Sequence, residues 1–283
     1  MQSTRIVATL RGLAGLAVLL ALLGGCQGQQ VMHNEKDLDN GLIIVLPGID
    51  GRAWHNEAAC KVLSDADLGM AVELYDWTSP LGPLFNQTAM ENNRQKAAML
   101  AEHIDSYLRE HQGRPVVLVG HSGGTAIAAW AAEQLKSGEE VAGIIMLASS
   151  LSPHYDLSMA LAHCRLGITS LYSDRDEALL GAGTTLLGTM DGQHTPSAGK
   201  VRFQKPQGNC GEAYGKLLQV PWEPQMAETG HDGGHFGYTA PRFVAAYVAP
   251  LVANMSGTGE TLAVSIGNAQ EEIAAAIEAG GAR

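Results

Sequence analysis

The segment Val116-Val117-Leu118-Val119-Gly120-His121-Ser122-Gly123-Gly124 decides the fold of this chain. It begins as a continuous apolar run, which is typical of a strand buried on both faces, and an Ala-rich stretch that predicts a helix follows it at once. The pattern G-x-S-x-G between them predicts a sharp turn that holds the serine in a strained backbone conformation. Such a turn needs small residues two positions before and after the serine, and Gly120 and Gly124 meet this need. We therefore predict that Ser122 is a nucleophile.

On both sides of this segment, short apolar runs alternate with helical stretches. A mostly parallel sheet with helices on both faces requires this alternation, so the predicted fold class is α/β. Leu100, Ile104 and Leu108 recur at helical spacing and predict a crossover helix before the central strand. The predicted strands are Leu42 to Leu46, Ala71 to Trp77, Val116 to Val119, Ala142 to Leu147, Ile168 to Tyr172 and Lys216 to Trp222, with Lys200 to Phe203 as an extra edge strand.

The length of 283 residues is enough for one sizeable domain. We assign residues 41–254 to this domain and residues 26–40 to a linker. Residues 255–283 are rich in Gly, Ala and Glu and are predicted to form a peripheral tail.

Residues 1–25 are interpreted as a targeting segment. Arg5 and Arg11 precede an apolar run that is too short to span a membrane comfortably. The following Leu23-Gly24-Gly25-Cys26 resembles the bacterial lipobox, which implies a lipoprotein signal peptide, lipidation of Cys26 and a lipid-anchored position in the cell envelope. Gln27 after the cysteine favours the outer membrane. Ordinary secretory cleavage and an uncleaved anchor are the alternatives.

The formal net charge is -11, and without the two arginines of residues 1–25 it becomes -13. A nucleic-acid backbone would on average be repelled, so no nucleic-acid partner is expected.

Three cysteines remain besides Cys26, so the chain can form at most one internal disulfide among them. Cys164 with Cys210 is the pair we expect. Cys60 lies in a predicted helix and is interpreted as a small buried apolar residue.

The sharp turn at Ser122, with the strand before it and the helix after it, resembles the nucleophile elbow of the α/β-hydrolase superfamily of serine esterases and lipases. In this superfamily a nucleophile, an acid and a histidine follow in this order along the chain. The resemblance covers residues 41 to about 254. The segment 46–51, Leu-Pro-Gly-Ile-Asp-Gly, is similar to the family loop that supplies one amide of the oxyanion hole, which implies this role for Ile49. The amide of Gly123, at the amino terminus of the helix after Ser122, is the predicted second donor.

The acid is expected after the strand that ends near Tyr172, in Asp174-Arg175-Asp176. The spacing in the family favours Asp176. Asp174 is the close alternative, and Asp156 would serve if the acid followed the preceding strand. An aspartate without this role would form a surface salt bridge with Arg175 or Arg165.

The base is expected in Gly230-His231-Asp232-Gly233-Gly234-His235-Phe236, just before the last helix. His235 is the predicted base, and His231 is the alternative. A metal site at the two histidines is not expected, because the spacer contains two glycines and no Glu, and no cofactor is expected.

The resemblance implies hydrolysis of a small-molecule carboxylic ester through a Ser-His-Asp triad and an acyl-enzyme. The alternatives are a thioesterase or acyltransferase on the same fold and a non-catalytic binding protein of the envelope. No large lid is expected between the fourth and fifth strands, so the insertion between Asp176 and His235 should form one wall of the pocket. Leu151, Tyr155 and Met190 are candidates to receive an acyl chain, with simple packing as the alternative.

Overall fold

The structure is a computed structural model that describes residues 29–35, 37–177, 181, 183–206 and 212–257. The strands of these residues form one seven-stranded sheet in the order β1-β3-β2-β4-β5-β6-β7. They are β1 Gln29–Asn34, β2 Leu42–Leu46, β3 Ala71–Asp76, β4 Val116–His121, β5 Gly143–Leu147, β6 Ile168–Tyr172 and β7 Leu217–Pro221. Strands β2 to β7 are parallel, so the predicted α/β class with a mostly parallel sheet is confirmed.

Helices cover both faces of the sheet. Along β2, Leu42, Ile44 and Leu46 enter one buried cluster with the crossover helix, whereas Ile43 and Val45 enter the other. The alternation follows from the two-residue period of a strand, and it explains why the run is apolar at every position. The helices are α1 Trp54–Asp65, α2 Pro83–Thr88, α3 Met90–Glu110, α4 Gly123–Glu133, α5 Ser158–Ala162, α6 Thr184–Leu187, α7 Ala198–Val201, α8 Pro241–Phe243 and α9 Ala249–Ser256, with π-helical Val244–Val248 between the last two.

The sheet begins earlier than the sequence predicts. Gln29–Asn34, within the stretch assigned to a linker, forms β1 and pairs antiparallel with β3. The linker prediction is therefore wrong for these residues. The segment Gln-Gln-Val-Met-His-Asn lacks the apolar run that marks the inner strands, because an edge strand requires only backbone hydrogen bonds on one side.

The predicted extra edge strand at Lys200 to Phe203 is also wrong. Residues Ala198–Val201 form α7, in which the amides of Lys200 and Val201 donate to the carbonyl of Ser197. The amide of Phe203 donates to a side chain, Gln219 Oε1, and not to a neighbouring strand. A four-residue apolar pattern is too short to separate a strand from a helical turn.

The two described cysteines are buried and free. Cys60 is inaccessible on α1, as predicted, and burial raises the pKa of its thiol. Burial also raises the pKa of the Cys164 thiol to about 12. Its predicted partner Cys210 lies outside the described residues, as do residues 1–25, Cys26 and all of the predicted tail beyond Gly257. Among the described helices, none combines the length and the apolar character needed to cross a membrane.

Candidate active site

Ser122 occupies the turn between β4 and α4 in a backbone conformation that side chains rarely adopt. Its φ is 52° and its ψ is -120°, and its amide donates to the carbonyl of Leu147 at 2.9 Å. A Cβ at position 124 would lie 2.3 Å from Leu46 O, and one at position 120 would lie 2.8 Å from Gly124 O. Contacts this short could be relieved only by moving the backbone, so the turn requires both glycines. The turn in this way fixes the position of Ser122.

The loop at Ile49 lies against the start of α4. A Cβ on Gly123 would come within 2.8 Å of Ile49 Cγ2, so the two predicted oxyanion residues are neighbours. Two side-chain hydrogen bonds to backbone carbonyls fix this loop: Trp77 Nε1 donates to Pro47 O at 2.8 Å, and Asn86 Nδ2 donates to Ile49 O at 2.9 Å. As the first residue of α4, Gly123 has an amide without an acceptor within its own helix.

His235 and Asp176 form a buried pair. Nδ1 of His235 lies 2.6 Å from Oδ2 of Asp176, and the two residues are 8% and 2% exposed. Asp176 follows β6 at the carboxyl edge of the sheet, and His235 begins a short 3₁₀ turn before α8. A carboxylate at Nδ1 holds the proton on that nitrogen, which leaves Nε2 as a proton acceptor.

The alternative acids have other surroundings. Asp174 is exposed, and its backbone carbonyl accepts from Lys200 Nζ at 2.6 Å. Asp156 is also exposed and accepts from the amide and the hydroxyl of Ser158, and these hydrogen bonds lower the pKa of its carboxyl. Of the three predicted acids, the structure brings only Asp176 to His235.

His231 is enclosed among aromatic side chains. Its ring centroid lies 4.1 Å from that of Tyr238 and 4.6 Å from that of Phe243. Nδ1 accepts from the amide of Gly233 at 3.3 Å, and within the described residues the buried Nε2 has no hydrogen-bond partner. Burial lowers the pKa of His231 to about 4. The side chain therefore packs the loop and is not accessible to a substrate.

The Ser122 hydroxyl has a neighbour that the sequence analysis missed. Ser122 Oγ lies 3.3 Å from Ser150 Oγ, and Ser150 is fully buried after β5. The amide of Ser150 donates to Thr125 Oγ1 at 3.3 Å, and Thr125 Oγ1 in turn donates to Ser122 O at 2.6 Å. The only signal in the sequence was the pair Ser149-Ser150, which follows a predicted strand after one alanine.

A cavity of about 330 Å³ opens at this point, and its polar wall includes Ser122, Ser150 and His235. The apolar part of the lining consists mainly of Ile49, Pro83, Leu84, Leu187 and Phe236. Gly183, Thr184 and Leu187 come from the insertion between Asp176 and His235, which forms one wall as expected.

The side chains predicted to receive an acyl chain lie elsewhere. Leu151 and Met190 are buried in the hydrophobic core, and Tyr155 lines a separate polar groove. The packing alternative therefore holds for Leu151 and Met190. The cavity takes its apolar surface from residues of loops and of the short helices α2 and α6, which have no periodic pattern in the sequence.

The profile of the alpha/beta hydrolase fold matches residues 41–190, slightly more than half of the chain. The chain belongs to the α/β-hydrolase fold family. This membership supports a hydrolase, and the matched part contains Ser122, Asp176 and the Ile49 loop.

Several solved structures resemble this α/β hydrolase at low sequence identity. An esterase from Pyrococcus furiosus matches over 82% of this chain and 94% of its own, with 10% identity and a TM-score of 0.49. A lipase-esterase related protein from Clostridium acetobutylicum matches over 81% of this chain and 99% of its own, with 13% identity and a TM-score of 0.48. These likenesses concern the fold alone. No curated protein matches this chain in sequence.

Two further histidines of the α/β hydrolase lie near His235. Nε2 of His121 donates to the backbone carbonyl of His235 at 3.2 Å, which connects the loop of His235 to the turn at Ser122. The ring of His55 lies 6.1 Å from that of His121 and 4.9 Å from that of Phe236. Burial lowers the pKa of both His55 and His121, while Asp50 acts in the opposite direction on His55. Among the described residues, no cluster of three His, Cys, Asp or Glu side chains could hold a metal ion.

Proposed function

We propose that this protein is a serine hydrolase that cleaves carboxylic esters, with Ser122 as nucleophile, His235 as base and Asp176 as the acid that orients it. The observation that carries the proposal is the buried 2.6 Å contact between His235 Nδ1 and Asp176 Oδ2, beside a cavity that both Ser122 and His235 line. The strained φ of 52° at Ser122 supports a catalytic role, since such strain concentrates at active sites.

In the proposed reaction, the Ser122 hydroxyl turns from Ser150 to His235 and attacks the ester carbonyl while Nε2 takes its proton. The amides of Ile49 and Gly123 donate to the resulting oxyanion. The carbon–oxygen bond to the alcohol then breaks, and the alcohol leaves with the proton from His235. Water attacks the acyl-enzyme by the same route, releases the carboxylic acid and restores the Ser122 hydroxyl.

The lining of the cavity supports an apolar, uncharged acyl group. Ile49, Leu84, Leu187 and Phe236 offer apolar contact, and the ionisable groups of the lining are Asp50 and two histidines. Among the described residues, no lysine or arginine belongs to this lining, so they offer no cation to a substrate with an anionic group near the ester.

We further propose that the protein is exported and held at a membrane of the cell envelope by a lipid on Cys26. The support is the sequence Leu23-Gly24-Gly25-Cys26 after a short apolar run. The mass of the amino-terminal peptide of the mature protein tests this proposal: a diacylglyceryl cysteine is expected, and an unmodified Cys26 would refute it.

Labelling with a fluorophosphonate probe tests the nucleophile. We expect the full chain to be labelled, and we expect Ser122→Ala, His235→Ala and Asp176→Asn to lose the label or to react at least a hundredfold more slowly. The matched control Asp174→Asn should label like the parent, because Asp174 is exposed two residues away. A folded parent that takes no label, or a Ser122→Ala variant that labels normally, would refute the proposal.

A further inference from the structure

Large apolar side chains are exposed around the mouth of the cavity. Trp54 is 80% exposed, Leu186 is 77% exposed and Leu81 is 71% exposed. Leu84, Leu187 and Phe236 are also exposed and line the cavity itself. We call this set the apolar rim: Trp54, Leu81, Leu84, Leu186, Leu187 and Phe236.

The rim residues outside the lining are linked to it through the chain or through ring contacts. Leu186 precedes Leu187 on α6, and Leu81 lies just before α2, which carries Leu84. The ring of Trp54 lies 5.6 Å from that of His55, which lies 4.9 Å from that of Phe236. Large exposed apolar side chains gathered in this way mark a site of contact with another apolar surface.

The direction of β1 places the amino-terminal end of the described chain at the same edge of the sheet. Because β1 is antiparallel to β3, its first residue, Gln29, pairs with Asp76, the last residue of β3. The carboxyl ends of the parallel strands meet at this edge, and Ser122 follows β4 there. The chain therefore enters the sheet from the side on which the cavity opens.

The distances along this edge are short. In the order β1-β3-β2-β4, three strand spacings of about 4.8 Å separate the entry of β1 from the strand that carries Ser122, or about 15 Å. Cys26 precedes Gln29 by three residues, which span at most about 11 Å of extended chain. A lipid on Cys26 would thus hold the active-site edge, and not the opposite edge, close to the membrane.

We propose that the apolar rim rests on the membrane that carries the lipid of Cys26, so that the cavity opens to the bilayer and takes acyl esters of membrane lipids as substrates. The inference rests on the proposed hydrolase and the proposed anchor. The rim side chains are uncharged and the chain without residues 1–25 carries a formal net charge of -13, so the contact is apolar and suits a neutral bilayer surface. If the cavity of the anchored enzyme opens at the bilayer surface, a lipid ester can enter the cavity directly from the bilayer without passing through water.

Trp54 reports on this contact directly. The full lipidated chain, reconstituted in phosphatidylcholine vesicles, is compared with the same chain in vesicles whose phosphatidylcholine is brominated near the headgroup. We expect bromine to quench part of the tryptophan emission and Trp54→Phe to abolish that quenching. Trp77 and Trp130 are fully buried, and Trp222 is partly buried. No quenching, or equal quenching in Trp54→Phe, would overturn the proposal.

Turnover provides the second test. The variant Trp54→Ser/Leu81→Ser/Leu186→Ser changes only rim residues outside the lining. We expect at least a fivefold lower rate on a fluorogenic diacyl ester in the vesicles and a rate within twofold of the parent on soluble p-nitrophenyl acetate. Met159→Ser is the matched control, since Met159 is 58% exposed on α5 and is not in the rim. Equal rates on the vesicle ester, or equal losses on both esters, would overturn the proposal.

The outcomes distinguish failure of the hydrolase from failure of the membrane contact. If the fluorophosphonate leaves the parent unlabelled but bromine quenches Trp54, the membrane contact stands and the hydrolase is refuted. If the parent is labelled but bromine does not quench, the hydrolase stands and the contact is refuted. If the mass of the mature peptide shows an unmodified Cys26, the contact is refuted together with the anchor, and labelling still decides the hydrolase.

Discussion

His231 and His235 lie four residues apart in one loop, and their surroundings differ. His235 has a carboxylate 2.6 Å from Nδ1 and lines the cavity that Ser122 shares. His231 has an amide donor at Nδ1, a buried Nε2 without a partner among the described residues, and aromatic rings on two sides. The partner at Nδ1 and the access to Nε2, not the residue type, therefore distinguish a base from a packing residue.

The absence of a side chain at Gly237 allows the ring of His231 to be enclosed. A Cβ on Gly237 would lie 2.0 Å from His231 Nδ1, so the chain can fold over this ring only where it lacks a side chain. The ring then completes a cluster with Tyr238, Phe243 and Trp222. His231 packs the turn from which His235 projects, and in the proposed mechanism only His235 takes part in the chemistry.

The largest effect should come from removing the base. We expect His235→Ala to lower kcat/KM on p-nitrophenyl butyrate by about 10⁴-fold, because Ser122 loses its proton acceptor. The melting temperature should change little. Initial rates and thermal unfolding of the same preparations provide the measurement.

The matched variant His231→Asn sharpens the comparison. Asn retains an acceptor for the amide of Gly233 but loses the ring, so we expect a rate within about tenfold of the parent and a loss of roughly 2 kcal/mol of unfolding free energy. A rate loss in folded His231→Asn as large as that of His235→Ala would mean that the two roles are not separate.

The next effect is a dependence of stability on pH. The pKa of His231 is about 4 in the folded protein against 6.5 in the unfolded chain. Between these values the unfolded chain binds the extra proton, so stability is fully present above pH 6.5 and is lost as the pH falls towards 4. The expected loss from this residue at pH 5 is about 2 kcal/mol. Burial lowers the pKa of His121 too, which adds a loss of the same sign.

Urea unfolding at pH 7.5 and pH 5 measures this dependence. His231→Asn should reduce the difference between the two pH values by about 2 kcal/mol. A variant with the same pH dependence as the parent would show that His231 does not titrate as its enclosed position requires.

The sequence predicts best where the backbone itself imposes the residue types. The bounds of β2 and β6 match their predictions, and the elbow requires Gly120 and Gly124 because a Cβ there would strike backbone atoms. The pairing of His235 with Asp176 follows the order of the family motifs, although Asp174 and His231 satisfied the same pattern. Burial, ring contacts and the hydrogen bond between His235 and Asp176 separate these alternatives, and all of them depend on residues far apart in the chain.

The sequence does not predict features that rest on tertiary contacts without a periodic pattern. The edge strand β1 uses backbone pairing with β3 and has no apolar run. The apolar lining comes from the loop at Ile49, the short helices α2 and α6 and the turn at Phe236. Ser150 gives no signal because a serine after a strand is common, and its meaning depends on its 3.3 Å approach to Ser122.

The smallest effect should come from Ser150, which contacts the nucleophile as closely as a catalytic partner would. Its hydroxyl occupies one hydrogen-bonding direction of Ser122 Oγ in the resting site, but attack needs the proton to face His235. The loss of one neutral hydrogen bond changes free energy by about 1 kcal/mol, so Ser150→Ala should change kcat/KM by about fivefold and no more than tenfold. Ser150→Thr keeps the hydroxyl and should restore most of the parent rate, which separates the hydrogen bond from packing. A 10³-fold loss in Ser150→Ala would instead place Ser150 beside His235 among the groups that transfer the proton. The segment after β5 would then contribute to the chemistry as well as to the packing of the site.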